Sequence, residues 1–94
     1  MLLAQEKVEK SLLRKGFKKE EGDHHYFIYW DLAGKKTIAK TKTSHSGKDL
    51  DDTLLGLMAH QVKLSRPQFS KLVACPLSRE EYEEILRTQG HLPN

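Results

Sequence analysis

Cysteine is almost absent from this chain of 94 residues, in which Cys75 stands alone. A single cysteine cannot form an internal disulfide, so the fold has to be stabilised by a hydrophobic core rather than by covalent cross-links. Nothing in this composition requires an oxidising compartment, and we expect the protein in the cytoplasm. Cys75 has the sequence surroundings of a small buried hydrophobic residue rather than of a catalytic nucleophile.

Long hydrophobic runs are also missing. No apolar stretch approaches the roughly 20 residues that a membrane-spanning helix needs, and Glu6 brings a charge too early for a secretory signal. We therefore expect a protein that is not exported and has no membrane partner.

The chain has no strong excess of either charge. Its Lys and Arg residues number 16 and its Asp and Glu residues 13, which gives a formal net charge of +3. Such a mildly basic balance permits a phosphate-binding face without requiring one. The 6 glycines are scattered singly, so the sequence has no phosphate-cradling loop of the Walker or dinucleotide-binding type, and nucleotide hydrolysis is not indicated.

Hydrophobic residues make up 37% of the sequence, enough for one modest core, and we expect a single domain over residues 1–94. Apolar residues at four-residue spacing, Ala4, Val8 and Leu12, predict an amphipathic helix that ends at Gly16. Three extended segments follow, at about residues 17–21, 24–31 and 36–43. They predict a three-stranded antiparallel meander.

Three helices are predicted after the sheet. The first has an apolar stripe made of Leu50, Leu54, Leu57 and Met58 and widened by Leu55, Ala59 and Val62. The other two begin at Ser65 and Ser78, each with Gln or Glu three residues later, which is the capping-box spacing. The predicted fold class is α+β: a helix, a three-stranded antiparallel sheet and a helix, with a two-helix C-terminal extension. We place the core at about residues 4–73 and the helical extension at about residues 74–94.

The middle strand is apolar on both of its faces. Alternation places His25 and Phe27 on one face and Tyr26, Ile28 and Trp30 on the other. A sheet with helices on one side only would normally show a polar second face, so we expect something to cover the Tyr26/Ile28/Trp30 face. The C-terminal segment, a second copy of the chain in a homodimer, or another partner could do so, and burial of Trp30 against a helix is the preferred interpretation.

Gly22-Asp23-His24 resembles the glycine-serine-histidine motif that the HicA family of toxin ribonucleases places on its second strand, with Asp23 where the family has serine. As in that family, a helix-glycine-aromatic segment, Arg14-Lys15-Gly16-Phe17, comes shortly before it. The run from His45 to Leu50, followed by Asp52 to Leu55, is similar to the family's loop and second helix. The run from Leu64 to Phe69 is similar to its closing segment. The resemblance covers about residues 8–73. It implies a fold like that of a double-stranded-RNA-binding domain, in a toxin of a toxin-antitoxin system that cleaves messenger RNA without a metal or cofactor and is silenced by a HicB-like antitoxin.

Within this resemblance, the strand histidine of the family is the catalytic group, and the matching position here is His24. RNA carries its own nucleophile, the 2′-hydroxyl, so an endoribonuclease needs a base for that proton and cations for the charge on the phosphorane. A histidine suits the first task near neutral pH. Candidate RNA-binding residues are Lys36, Lys40 and Lys42 on one face of the third strand, with His45 and Lys48 in the following loop.

Simpler interpretations stay open for these residues. His24 could be an exposed strand residue, and the lysines could be a solvated edge that discourages aggregation. His25, on the Phe27 face, is expected to be packed or half-buried. Asp23 and the nearby histidines lack metal-ligand spacing, so no metal site is predicted. Three functions therefore remain: a toxin-type endoribonuclease, a non-catalytic RNA-binding relative, and a protein-interaction module that uses the Tyr26/Ile28/Trp30 face.

Overall fold

A computed structural model describes residues 2–92 and confirms the α+β layout. The elements in chain order are α1 (Gln5–Arg14), β1 (Phe17–Glu21), β2 (His25–Trp30), β3 (Lys36–Thr43), α2 (Asp52–Gln61), α3 (Arg66–Ala74) and α4 (Arg79–Thr88). The strands form one antiparallel sheet in the order β1-β2-β3. Met1, Pro93 and Asn94 belong to the predicted domain but lie outside the described residues.

The second strand begins one residue later than predicted, at His25. Gly22, Asp23 and His24 form the bend between β1 and β2, which the backbone N–H of Gly22 closes by donating to the carbonyl of His24 at 3.1 Å. Glu21 and His25 are the first cross-strand pair after this bend. His24 is therefore a turn residue at the end of the sheet rather than a member of the strand.

The buried stripe of α2 differs from the predicted one. Leu54 and Leu57 are 44% and 51% exposed, whereas Leu55, Met58 and Ala59 are buried. Asp51 caps the helix by accepting a hydrogen bond from the Leu54 N–H at 2.9 Å. The buried residues at positions 55, 58, 59 and 62 recur at helical spacing and form the stripe that faces the core. Leu54 and Leu57 therefore lie on the solvent side of the helix.

Both predicted capping boxes are confirmed. In each, the N-cap serine accepts from the backbone N–H three residues on, and the Gln or Glu side chain at that position accepts from the serine N–H. Each box satisfies two backbone donors that would otherwise lack partners at a helix start. The boxes are formed by Ser65 with Gln68 and by Ser78 with Glu81.

A cluster of aromatic rings joins α4 to the sheet. The ring of Tyr82 lies 5.6 Å from Phe17 and 5.0 Å from Tyr29, centroid to centroid, and all three side chains are buried. The Tyr82 hydroxyl donates to the carbonyl of Val62 at 2.8 Å. The C-terminal helix thus belongs to the same core as the rest of the domain. It lies on the Phe27/Tyr29 side, so the C-terminal segment is not the cover of the opposite face.

Polar contacts reinforce this junction. The Glu83 carboxylate accepts from the Tyr29 hydroxyl at 2.6 Å and from the Leu32 N–H at 2.8 Å. Burial, together with this bond to Glu83, raises the pKa of Tyr29. Arg79 donates to the carbonyl of Trp30 at 2.9 Å and passes close to Gly16, where a Cβ would lie 2.5 Å from the guanidinium group. Gly16 also has a positive φ of 96°, so both space and backbone conformation require glycine there.

The expected burial of Cys75 is wrong. Cys75 is an exposed free thiol at the C-terminal end of α3, where its backbone adopts a left-handed conformation with φ of 87°. That position ends the helix before Pro76, and its backbone turns the chain towards α4.

We expect Glu83→Ala to lower the free energy of unfolding by about 2 kcal/mol, because the Tyr29 hydroxyl and the Leu32 N–H would lose their acceptor. The matched control is Glu84→Ala. Glu83 and Glu84 both pair with Arg87, so each variant loses one such ion pair, but the Glu84 side chain is exposed. The control should change stability by less than about 0.5 kcal/mol. Urea unfolding of both variants measures the difference, and equal losses would show that the buried acceptor is unimportant.

Candidate nucleic-acid interface

One face of the sheet packs on the helices, and the other carries a mixture of lysines and aromatic residues. Cross-strand pairing places Ile28 between Lys18 and Lys40, and Tyr26 between Glu20 and Lys42. We call this surface the open face. Its members are Lys18 and Glu20 of β1, Tyr26, Ile28 and Trp30 of β2, and Lys36, Ile38, Lys40 and Lys42 of β3.

The aromatic rings of the open face are covered by the chain's own lysines. The Lys18 ammonium lies 4.2 Å from the centroid of the Trp30 ring, and that of Lys40 lies 4.5 Å from the Tyr26 ring. Both distances are typical of cation–π contacts. The predicted burial of Trp30 against a helix is therefore wrong, and lysine side chains supply the cover that we expected from a segment or partner.

An ion pair crosses the middle strand on this face. Lys36 and Glu20 meet at 3.1 Å although they belong to β3 and β1, which flank β2. Ile28, at the centre of the face, is only 1% exposed as a result of these surrounding side chains. Four lysines and one glutamate thus give the open face a clear positive charge around two aromatic rings.

His24 lies at the end of this face, beside Tyr26. The two rings meet edge to face with centroids 6.1 Å apart, and the His24 side chain is 35% exposed. Nδ1 of His24 is 3.3 Å from a carboxylate oxygen of Asp23, within ion-pair distance although not aligned as a hydrogen bond. The other Asp23 oxygen accepts from the Tyr26 hydroxyl at 2.5 Å. This hydrogen bond, with the nearby His24, lowers the pKa of Asp23.

A cleft of about 160 Å³ runs from His24 towards α2. His24 and Lys42 line its polar side, and the exposed Leu54 and Leu57 line its apolar side. A neighbouring cleft of about 240 Å³ shares Lys42 and is lined by Tyr26 and Lys40. Gln61 lines both clefts and is held there by the Thr41 hydroxyl, which donates to its side-chain oxygen at 2.7 Å. His24, Lys40 and Lys42 are therefore parts of one continuous surface.

The other predicted RNA-binding residues lie elsewhere. Lys36 is at the opposite end of the open face from His24, and Glu20 already pairs with it. His45 turns towards the β1–β2 bend, where its Nε2 lies 3.1 Å from the Gly22 carbonyl. Lys48 is exposed in the loop before α2.

His25 is half-buried, as predicted. Its ring lies 4.0 Å from that of His45, and its Nδ1 lies 2.5 Å from a Glu21 carboxylate oxygen. The hydrogen bond to His25 lowers the pKa of Glu21. Within residues 2–92, no group of three His, Cys, Asp or Glu side chains is arranged to hold a metal ion.

Two residues of the open face and its clefts, Lys18 and Gln61, were not identified from the sequence. Lys18 follows the buried Phe17 in β1, so alternation along the strand places it on the opposite face, but the sequence pattern predicted only an extended segment there, with no face assigned to Lys18. No sequence pattern marks Gln61, because glutamine is common at the end of a helix. Its place between the two clefts depends on the hydrogen bond from Thr41, which only the structure shows.

Comparisons of the chain with models of protein families, with curated proteins and with solved structures found no match. Across the described part of the chain, none of the helices combines the length and the apolar character needed to cross a membrane.

We expect the two adjacent histidines to differ in their effect on stability. His25→Ala should lower the free energy of unfolding by about 1 kcal/mol, since it removes the contacts with His45 and Glu21. His24→Ala should change it by less than about 0.5 kcal/mol, because that side chain is more exposed. Urea unfolding of both variants beside the parent protein tests this order, and the reverse order would contradict it.

Proposed function

We propose that the chain binds RNA on its open face and cleaves it with His24 as general base, without a metal ion, as its resemblance to the HicA toxins implies. The observation that carries this proposal is the juxtaposition of His24 with Lys40 and Lys42 on one continuous surface. A histidine beside two cations at the edge of a positively charged face is suited to a phosphodiester with an adjacent 2′-hydroxyl.

In the proposed reaction, Nε2 of His24 removes the 2′-hydroxyl proton of the bound RNA. The 2′-oxygen attacks the adjacent phosphorus, and the bond to the 5′-oxygen breaks, which leaves a 2′,3′-cyclic phosphate. The leaving oxygen takes a proton from water. Lys40 and Lys42 stabilise the charge on the phosphorane.

Asp23 has a supporting role in this mechanism. Its carboxylate lies beside Nδ1 of His24, so it favours the tautomer that leaves Nε2 free to accept a proton. The same carboxylate stabilises the imidazolium that forms after proton transfer. Its charge would repel a phosphate, and the hydrogen bond that it accepts from the Tyr26 hydroxyl partly offsets that charge. A serine at this position could not supply the charge, so Asp23 is compatible with catalysis.

A protein partner is the second candidate, and the exposed Leu54 and Leu57 favour it. These leucines border the cleft that contains His24 and Lys42. A HicB-like antitoxin seated on this cleft would bury the leucines and block both polar groups at once. If protein binding were the sole function, the parent protein would have no measurable affinity for RNA.

RNA binding should depend on the lysines of the open face. We expect the triple variant Lys18→Ala, Lys40→Ala, Lys42→Ala to bind RNA about tenfold or more weakly and to reduce the slope of log affinity against log salt by about 2. The control is Lys7→Ala, Lys10→Ala, Lys71→Ala, which removes the same charge from α1 and α3. Affinity measured over a range of salt concentrations tests this. Equal losses in the two triple variants would show that net charge, rather than the open face, determines binding.

His24→Ala should slow RNA cleavage at least about 100-fold while RNA affinity stays within a factor of about three, because a general base contributes that much to the rate and little to binding. His60→Ala, which removes an exposed histidine of α2 outside both clefts, is the control and should cleave at the parent rate. Cleavage is measured on a labelled transcript in the presence of a chelator. A His24→Ala protein that cuts at the parent rate contradicts the mechanism, and a parent protein that binds without cutting identifies a non-catalytic relative.

A further inference from the structure

We infer that the RNA bound by the open face is single-stranded, with two of its bases stacked on the rings of Tyr26 and Trp30. This inference rests on the proposed RNA binding and names its substrate class. It differs from what the resemblance to a double-stranded-RNA-binding fold would suggest, because the chemistry of the open face is that of a surface for unpaired bases.

The spacing of the two rings supports unpaired bases. Tyr26 and Trp30 are four residues apart on one strand and lie on the same face, so they are separated by about 13 Å. Adjacent bases in a duplex lie about 3.4 Å apart along each strand and are stacked on one another. Their faces are closed to a protein ring, whereas the splayed bases of a single strand can reach two separate rings. The buried Ile28 forms an apolar floor between the rings.

The lysines over the rings suit the same ligand. Lys18 and Lys40 occupy the ring faces through cation–π contacts, which are weak at an exposed site. An incoming base can take the ring face. The displaced ammonium then moves to a neighbouring phosphate, with which it forms an ion pair. A run of single-stranded RNA offers both partners at once, since each base is followed by a phosphate.

The indole N–H of Trp30 adds an observation independent of charge. Nε1 is buried and has no acceptor among residues 2–92. A buried donor without an acceptor is unfavourable, so a ligand that supplies one is favoured. Base carbonyls and phosphate oxygens are such acceptors.

Trp30 is the single tryptophan of the chain, so its fluorescence reports binding at this position directly. The ligand is an oligonucleotide of about twelve nucleotides, offered as single-stranded RNA, as the same RNA annealed to its complement, and as single-stranded DNA. The His24→Ala protein is used so that the RNA stays intact. We expect Trp30 emission to be quenched by both single strands, because stacking does not require the 2′-hydroxyl, and the duplex to bind at least about tenfold more weakly than single-stranded RNA.

Variants of the two rings complete the test by anisotropy of labelled RNA. Tyr26→Leu and Trp30→Leu should each weaken single-strand binding about tenfold, while Trp30→Phe, which retains a ring, should lose less than Trp30→Leu. Leu13→Ala changes an exposed apolar residue of α1, away from the open face, and should leave affinity unchanged. Equal affinity for duplex and single strand, or RNA binding with unaltered Trp30 emission, overturns this inference but leaves the proposed RNA binding intact. Absence of binding to every oligonucleotide overturns both.

Discussion

The packing of Tyr82 against Phe17 and Tyr29 determines which side of the sheet is available for function. A three-stranded sheet has two faces, and this aromatic cluster brings α4 to the same face as the remaining helices. Glu83 and Arg79 then tie the helix to Tyr29 and Trp30 at the C-terminal end of β2. Because the core is complete on that side, the apolar residues on the opposite side of β2 are not needed by it.

The open face shows how a sheet can carry apolar residues towards solvent without a covering helix. Long lysine side chains place their methylene groups over apolar surface while their ammonium groups stay in water. Here two such groups also lie on ring faces, and an ion pair spans Ile28. The result is a surface that is protected in the free protein yet held only by weak, exposed contacts. A ligand can displace these lysine side chains at a small cost in free energy, whereas displacing a packed helix would cost much more.

Much of the fold could be predicted from local patterns, because each depends on neighbours in sequence. Alternation in β2 and β3 separated the two faces correctly, and both capping boxes followed from serine and its partner three residues later. The stripe of α2 was assigned wrongly because consecutive leucines allow two helical faces, and only the core decides between Leu54 and Leu55. The burial predicted for Cys75 was wrong because the residue lies at the end of α3 with a left-handed backbone. The residue type alone does not indicate that conformation.

The candidate site was predicted less completely. His24, Lys40 and Lys42 do meet on one surface, but Lys36 and His45 form other contacts, with Glu20 and with the β1–β2 bend. The contacts of Lys36 and His45 depend on distances between elements of the fold, which the spacing of residues in the sequence does not give. Trp30 was expected to be buried against a helix because large aromatic side chains are usually buried. The alternative, a ring covered by a lysine from the neighbouring strand, can be recognised only when the register of β1 against β2 is known.

The backbone of Trp30 is fixed on both sides. Its N–H donates to the carbonyl of Gly16 at 3.2 Å, and its carbonyl accepts from Arg79, which fits there because Gly16 has no side chain. Two hydrogen bonds therefore hold the backbone from which the indole projects. With the backbone fixed and the Lys18 ammonium over the ring, the indole is already ordered, so a planar ligand that stacks on it would lose less entropy than on a mobile side chain.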